Sequence, residues 1–132
     1  MTYWLLKTEP GCYSIDDLER EKKTVWDGVE NNLALKYLRQ MKKGDLAIIY
    51  HTGDEKAAVG VCEVSSNPYI DPAKSDPKLA VVDVKMKKRL LRPVTLQEVK
   101  TMKGMSDFLL VKMPRLSVMP VTDAQWSVLV KD

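Results

Sequence analysis

The chain has 132 residues, of which 45% are hydrophobic and 30% are charged, and its formal net charge is +3. This length predicts a single domain, residues 1–132, with a core large enough to fold without disulfides. The apolar runs span only a few residues each, so we expect no transmembrane helix, no signal peptide and no membrane partner. We expect a monomer that resides in the cytoplasm, or in the nucleus if the source is eukaryotic.

Cysteine and histidine, the side chains typical of zinc sites, are scarce in this sequence. Cys12 and Cys62 are the only cysteines and His51 is the only histidine, and their spacing matches no zinc motif. The sequence also lacks a phosphate-binding glycine loop and the local signatures of hydrolases and metalloproteases. We therefore predict no metal and no cofactor, and we interpret both cysteines as free thiols.

The first third of the sequence predicts one strand and two helices. Thr2–Lys7 is rich in aromatic and aliphatic residues and predicts a strand that ends at Pro10-Gly11. The pattern SIDD, Ser14–Asp17, is a capping box and predicts the start of a short helix. Apolar residues at helical spacing predict a second helix from about Asn31 to Lys43, with Gly44 as its C-terminal cap.

The middle of the sequence predicts a hairpin followed by a long strand. Asp45–Thr52 is apolar on both faces and predicts a strand buried on both sides, and Ala57–Val64 predicts its hairpin partner. The proline-punctuated segment Asn67–Pro77 predicts a loop. Leu79–Leu91 predicts a long strand, because apolar and polar residues alternate in its central part.

The last third predicts two further capped helices and a strand. Thr95–Glu98 and Thr122–Gln125 are capping patterns that open short helices, and Trp126 and Leu129 are expected to dock the second one. Between these helices, Arg115–Val121 predicts a strand. Because the strands mix with short helices and do not alternate strictly with them, we predict an α+β fold with a small curved sheet or barrel.

Charge is unevenly distributed along the chain. Residues 1–30 contain four basic and seven acidic residues, whereas residues 84–115 contain nine basic and two acidic ones. The basic part includes KMKKRLLR, Lys85–Arg92. This segment is either the solvated face of a strand with its exit loop or a surface that contacts phosphates.

Three positions carry candidate chemistry, and each has a plain structural alternative. KTEP, Lys7–Pro10, leaves the first strand with a lysine, a threonine and a glutamate, which form either a surface ion pair or a set that reads the edge of a base. Trp26 precedes Asp27-Gly28, which favours a tight turn. It is either a core residue or a platform on which an extruded base stacks. His51 is either a general base or a hydrogen-bonded structural residue.

Nine segments, in which x marks an open position, occur in a characteristic order over essentially the whole chain: YWLLKTEP, SIDDLE, WDGVxN, MKKGDLAIIYH, VG, DP, VDV, RPV and RLSVxPV. In this order they resemble the EVE domain. The resemblance implies a PUA-like fold, which is a curved β-barrel decorated by short helices. It also implies kinship with YTH domains, which hold a methylated adenine in an aromatic cage. The implied function is a non-catalytic module that binds a modified base, either modified cytosine in DNA or a modified base in RNA.

The resemblance also implies roles for individual residues. Trp26 becomes a pocket wall, with Lys7, Thr8 and Asp27 beside the base. The candidates for the opposite wall and rim are Tyr50, His51 and Tyr69. Together with the charge distribution, the resemblance suggests contacts to the nucleic-acid backbone from Asn31, Lys85, Lys87, Lys88, Arg89, Arg115 and Ser117.

The sequence departs from the family pattern at Glu30, where relatives commonly have arginine. If that arginine contacts a phosphate in relatives, Glu30 repels the phosphate here. Weaker or differently oriented binding of nucleic acid is then expected.

Two other functions stay open at this point. Related PUA-like ASCH proteins include an amidohydrolase that acts on acetylated cytidine through a lysine, a threonine and a glutamate. Lys7, Thr8 and Glu9 are superficially similar, but consecutive residues of a strand point to alternate sides. The third possibility is a module that binds a free nucleoside or another small molecule.

Overall fold

A computed structural model describes residues 2–74, 76 and 78–130, so the last residue of the predicted loop, Pro77, lies outside the described residues. The strands are β1 (Tyr3–Thr8), β2 (Lys23–Trp26), β3 (Leu46–His51), β4 (Ala57–Val64), β5 (Tyr69–Ile70), β6 (Ala80–Thr95) and β7 (Val118–Val121). The helices are α1 (Ile15–Glu21), α2 (Asn32–Leu38), α3 (Leu96–Thr101), α4 (Leu109–Lys112) and α5 (Asp123–Leu129). None of the helices in the described ranges is long and apolar enough to cross a membrane.

The strands form one mixed sheet in the order β2-β6-β4-β3-β1-β7, and β5 pairs with β6. Strands β1 and β3 run parallel, and the other ladders of the described residues are antiparallel. The predicted hairpin of β3 and β4 is confirmed, and so is the α+β class. The parallel pair matters for function because it brings the ends of β1 and β3, Thr8 and His51, side by side.

Strand β6 gives the sheet its curvature. It pairs with β2 at one end and with β4 along most of its length. Gly60 of β4 pairs with Arg89, but Ala58, only two residues away, pairs with Val94. Residues 90–93 therefore bulge out of the ladder, and bulges of this kind bend a strand and increase its twist.

Three helix starts are fixed by capping boxes that can be read directly from the sequence. The Ser14 hydroxyl accepts a hydrogen bond from the Asp17 N–H, and the Asp17 carboxylate accepts one from the Ser14 N–H. Thr95–Glu98 and Thr122–Gln125 form the same reciprocal pair of bonds. All three predictions are confirmed, because each depends only on residues that are three positions apart.

The predicted end of the second helix is wrong. Helix α2 ends at Leu38 and not near Lys43. The Met41 N–H donates to the Leu38 carbonyl in a tighter turn, and the Met41 side chain is buried by that turn. Gly44 has a φ of 100° in the turn before β3, a conformation that glycine adopts at little cost, and it does not cap the helix.

Three other segments differ from the sequence-based expectations. Tyr69–Ile70 forms a short strand inside the segment predicted as a loop. Lys23–Trp26 forms β2, which was not predicted because the segment lacks a clear apolar run. In the structure Val25 of this strand is 44% exposed. The strand predicted over Arg115–Val121 begins only at Val118, so Arg115 and Ser117 precede β7.

A buried carboxylate joins the beginning of the sheet to the turn after α2. Asp45 is 5% exposed. Its oxygens accept hydrogen bonds from the Trp4 indole Nε1–H at 3.0 Å, the Lys42 N–H at 3.0 Å and the Thr2 N–H at 3.2 Å. Removing this carboxylate would leave the indole donor of Trp4 buried and without an acceptor, which is costly.

We therefore expect Asp45→Ala to lower the free energy of unfolding by about 3 kcal/mol, because hydrogen bonds to a charged group and an unsatisfied buried donor both contribute. Urea denaturation followed by circular dichroism measures this change. Asp54→Ala, which removes an exposed carboxylate, is the matched control. Equal unfolding midpoints for the two variants would contradict the role assigned to Asp45.

Candidate nucleic-acid interface

A cavity of about 530 Å³ lies where the two ends of the curved sheet approach each other. Its walls come from the end of β1, the turn before α1, the end of β2 with the following turn, and the residue before β7. The lining residues are Lys7, Thr8, Cys12, Tyr13, Thr24, Val25, Trp26, Asp27, Gly28, Val29 and Ser117. This volume is in the range of pockets that hold small organic ligands.

Trp26 is both a core residue and a wall of this cavity. Its side chain is 6% exposed and belongs to the hydrophobic core. The ring of Tyr13 meets the indole edge to face, with 6.2 Å between the ring centroids and an angle of 87° between the planes. The two sequence-based interpretations of Trp26 are therefore compatible, and the packing makes the indole a rigid wall.

Tyr13 was not singled out by the sequence analysis. Its O–H donates to Glu21 Oε1 at 2.7 Å. Burial and this carboxylate raise the pKa of Tyr13 to about 12, so the phenol is protonated at neutral pH. No sequence pattern predicts its place in the cavity, because that place depends on how α1 packs against the sheet.

Lys7 and Thr8 connect the walls of the cavity to one another. The Lys7 ammonium donates to the Pro114 carbonyl at 2.8 Å and lies 5.7 Å from the centroid of the Tyr50 ring. Burial lowers the pKa of Lys7. The Thr8 hydroxyl donates to the Tyr13 carbonyl at 2.8 Å. Consecutive side chains within a strand point to opposite sides. Lys7 and Thr8 nevertheless both line the cavity, because β1 ends at Thr8.

The remaining candidates for the base site lie outside the cavity lining. Tyr50 is buried beside Lys7, and burial raises its pKa to about 12. The Tyr69 O–H donates to Asp83 Oδ1 at 2.6 Å, where β5 pairs with β6. The participation of Tyr50 and Tyr69 in base binding stays a prediction.

His51 is fully engaged with protein partners. The Ile15 N–H, at the start of α1, donates to His51 Nε2 at 3.0 Å. Nδ1 therefore carries the proton, and it lies 2.8 Å from Glu55 Oε1. This arrangement supplies His51 with a structural role, and its predicted contact with a base also stays a prediction.

The residues predicted to contact the nucleic-acid backbone fall into separate regions. Ser117 lines the cavity of Trp26, whereas Asn31 and Arg115 line a neighbouring cavity. On β6, Lys85 pairs with Glu63 at 3.7 Å, and Arg89 pairs with Glu19 at 2.9 Å and with Asp16. Lys87 is exposed and Lys88 is half-buried on the same strand. No group of histidine, cysteine and carboxylate side chains in the described ranges is arranged to hold a metal ion.

The model of the EVE domain family matches residues 2–132. The chain belongs to the EVE domain family. Mouse thymocyte nuclear protein 1 is 32% identical, in an alignment that covers 94% of this chain and 70% of the mouse protein.

Solved structures support the same assignment. Protein Rpa0253 from Rhodopseudomonas palustris is 38% identical to this EVE domain with a TM-score of 0.93, over 99% of this chain and 92% of that one. The human THYN1 protein, solved in complex with DNA that contains 5-methylcytosine, is 29% identical with a TM-score of 0.89, over 98% and 96% of the two chains. The ASCH protein of Zymomonas mobilis has a TM-score of 0.61 at 10% identity and 97% and 93% coverage, which shows a shared PUA-like fold alone.

The environment of His51 leads to a prediction about stability. His51→Ala should lower the free energy of unfolding by about 2 kcal/mol, because it leaves the buried Ile15 N–H without an acceptor and opens a cavity. Thermal or urea unfolding measures the loss. Glu55→Ala is the control, since it removes the exposed partner of the imidazole and should cost much less. A wild-type unfolding midpoint for His51→Ala would contradict this role.

Proposed function

We propose that this EVE domain binds DNA that carries a modified cytosine, and that the modified base leaves the base stack and enters the cavity of Trp26. The observation that carries the proposal is the meeting of Lys7, Thr8, Trp26 and Asp27 at one cavity, although Lys7 and Trp26 lie nineteen positions apart. The DNA complex of the human relative supports the choice of ligand.

The cavity offers the two kinds of contact that an extruded base requires. Stacking on an aromatic ring contributes roughly 1–3 kcal/mol per base, and the indole of Trp26 supplies the ring. Polar groups must then read the base edge. A cytosine presents an amino donor with ring and carbonyl acceptors, and the exposed Asp27 carboxylate accepts from an amino group.

Lys7 and Thr8 supply donors and acceptors for the same edge. The Lys7 ammonium uses one of its three hydrogens on the Pro114 carbonyl, which leaves two for a base. The Thr8 hydroxyl donates to the Tyr13 carbonyl, so its oxygen is left to accept. A donor and an acceptor therefore stand beside the aromatic wall.

Hydrolysis is not part of the proposal. The set needed for ASCH-like chemistry includes a glutamate, but Glu9 does not line the cavity. Its carboxylate lies close to the backbone of Gly11 and Gly53, where a Cβ on either glycine would be 2.7 Å and 3.1 Å from a carboxylate oxygen. Lys7 and Thr8 are therefore assigned to binding of the base.

The first prediction from this proposal concerns stacking. Trp26→Ala should weaken binding to a DNA oligonucleotide that contains 5-methylcytosine by at least about tenfold, because it removes the stacking surface. Trp126→Ala is the matched control, since that indole stacks on Tyr3 at a centroid distance of 4.2 Å and does not line the cavity. Fluorescence anisotropy with labelled DNA gives both affinities.

Because Trp26 is also a core residue, Trp26→Phe accompanies the alanine variant. It keeps an aromatic core side chain but offers a smaller stacking surface, so its affinity should fall between those of the wild type and Trp26→Ala. Circular dichroism checks that each variant is folded. Wild-type affinity in a folded Trp26→Ala variant would refute the proposed site.

The second prediction concerns Glu30, which is exposed and follows Val29 of the cavity wall. Glu30→Arg should strengthen binding to the same oligonucleotide by about fivefold and make it more sensitive to salt, because a repulsion is replaced by a contact that releases counterions. Glu30→Gln should give an intermediate affinity. Identical affinities for the three proteins would show that no phosphate passes near this position.

A further inference from the structure

A second cavity, of about 320 Å³, lies next to the cavity of Trp26. It is lined by Asn31, Leu33, Lys112, Met113, Pro114, Arg115 and Leu116. The same two chain segments border both cavities, because Val29 and Ser117 line the first, while Asn31 and Leu116 line the second. The Lys7 ammonium, which lines the first cavity, bonds to the Pro114 carbonyl of the second.

The second cavity combines an apolar floor with two cations. Leu33, Leu116 and the 39% exposed Met113 supply the apolar surface. Lys112 and Arg115 are exposed, and neither side chain has an ion-pair partner in the part of the chain that the structure describes. Such a surface suits a ligand that is flat or apolar on one side and anionic on the other.

Asn31 adds a donor to this surface. Its Oδ1 accepts a hydrogen bond from the Ala34 N–H at 3.0 Å and thereby caps α2. The side-chain NH₂ of Asn31 is left to donate, and the residue lines the cavity. Phosphate and sugar oxygens accept hydrogen bonds of this kind.

The basic segment on β6 differs from this surface in its charge balance. Arg89 is paired with Asp16 and Glu19, and Arg92 is paired with Glu98 at 2.8 Å. A phosphate that approached these guanidinium groups would have to displace carboxylates and would meet their negative charge. At Lys112 and Arg115 it would meet neither.

We propose that the second cavity is a subsite for the nucleotide that adjoins the modified one in the same DNA strand. Lys112 and Arg115 bind its phosphate, Asn31 donates to its phosphate or sugar, and its base covers Met113 and Leu33. This inference rests on the proposed function, because it places the adjoining nucleotide relative to a base in the cavity of Trp26. Charge complementarity and continuity with that cavity support it.

The test compares two ligands and two charge-matched variants. The ligands are a single-stranded DNA oligonucleotide with one 5-methylcytosine and the free nucleoside 5-methyl-2′-deoxycytidine. The test variant is Lys112→Ala/Arg115→Ala. The control variant is Lys42→Ala/Lys43→Ala, which removes two exposed lysines that precede β3 at the opposite end of the β1–β3 pair from Thr8.

The test variant should bind the oligonucleotide on the order of tenfold more weakly than the wild type, and the slope of log affinity against log salt should decrease by about one or more, since each phosphate contact contributes slightly less than one to that slope. Its affinity for the nucleoside should equal that of the wild type, because the nucleoside carries no phosphate. The control variant should match the wild type with both ligands. Isothermal titration calorimetry at three salt concentrations measures these quantities.

Two results would overturn the subsite. If the test and control variants bind the oligonucleotide equally, no phosphate is bound there. If the test variant loses affinity for the nucleoside in the same proportion, Lys112 and Arg115 act on the modified nucleoside itself and not on an adjoining phosphate. In either case a large loss in Trp26→Ala would still leave the proposed function intact, whereas absence of wild-type binding to modified DNA would overturn both proposals.

Discussion

The candidate site depends on the direct packing of α1 against the backbone of β4 at Gly60. A Cβ at this glycine would lie 2.7 Å from the Cδ1 of Ile15 and 3.0 Å from the Lys88 carbonyl oxygen, and the carbonyl belongs to the sheet and cannot move aside. The absence of a side chain therefore lets Ile15 enter the core. His51 strengthens this packing because its Nε2 accepts the Ile15 N–H. The tight fit of α1 fixes the turn before it, which carries Tyr13, and the strand after it, which ends at Trp26.

Burial of Trp26 is compatible with base binding because the cavity is a gap between the two ends of the sheet. Strand β2 is one end of the strand order, and β7 is the other. An indole that is packed against the core and against Tyr13 loses little side-chain entropy when a ligand arrives, since its rotamer is already fixed. The side-chain entropy of Trp26 is lost during folding and not on binding. Preorganisation of this kind favours affinity even when the exposed part of the platform is small.

The sequence predicts those features of the fold that local interactions determine. Capping boxes at Ser14, Thr95 and Thr122 are confirmed because donor and acceptor lie within one turn. The end of α2 was missed because apolar spacing continues to Met41, while the turn after the helix is held by Asp45, whose carboxylate is itself fixed by the distant Thr2 N–H and Trp4 indole. The cavity is more difficult to predict from the sequence, since its residues come from segments around positions 8, 13, 26 and 117. Motif order pointed to Lys7, Thr8, Trp26 and Asp27, whereas Tyr13 carries no motif that marks it.

The charge pairing of the basic segment also could not be predicted from the sequence. The sequence shows nine cations in residues 84–115, but it does not show that carboxylates of α1 and α3 pair with Arg89 and Arg92. An attractive potential at a surface depends on the charges that remain uncompensated there. The helix whose packing fixes the cavity thus also neutralises part of the basic segment, because Asp16 and Glu19 of α1 pair with Arg89. Packing of one short helix therefore both shapes the candidate site and compensates part of the basic segment, whereas Lys112 and Arg115 keep no ion-pair partner among the described residues.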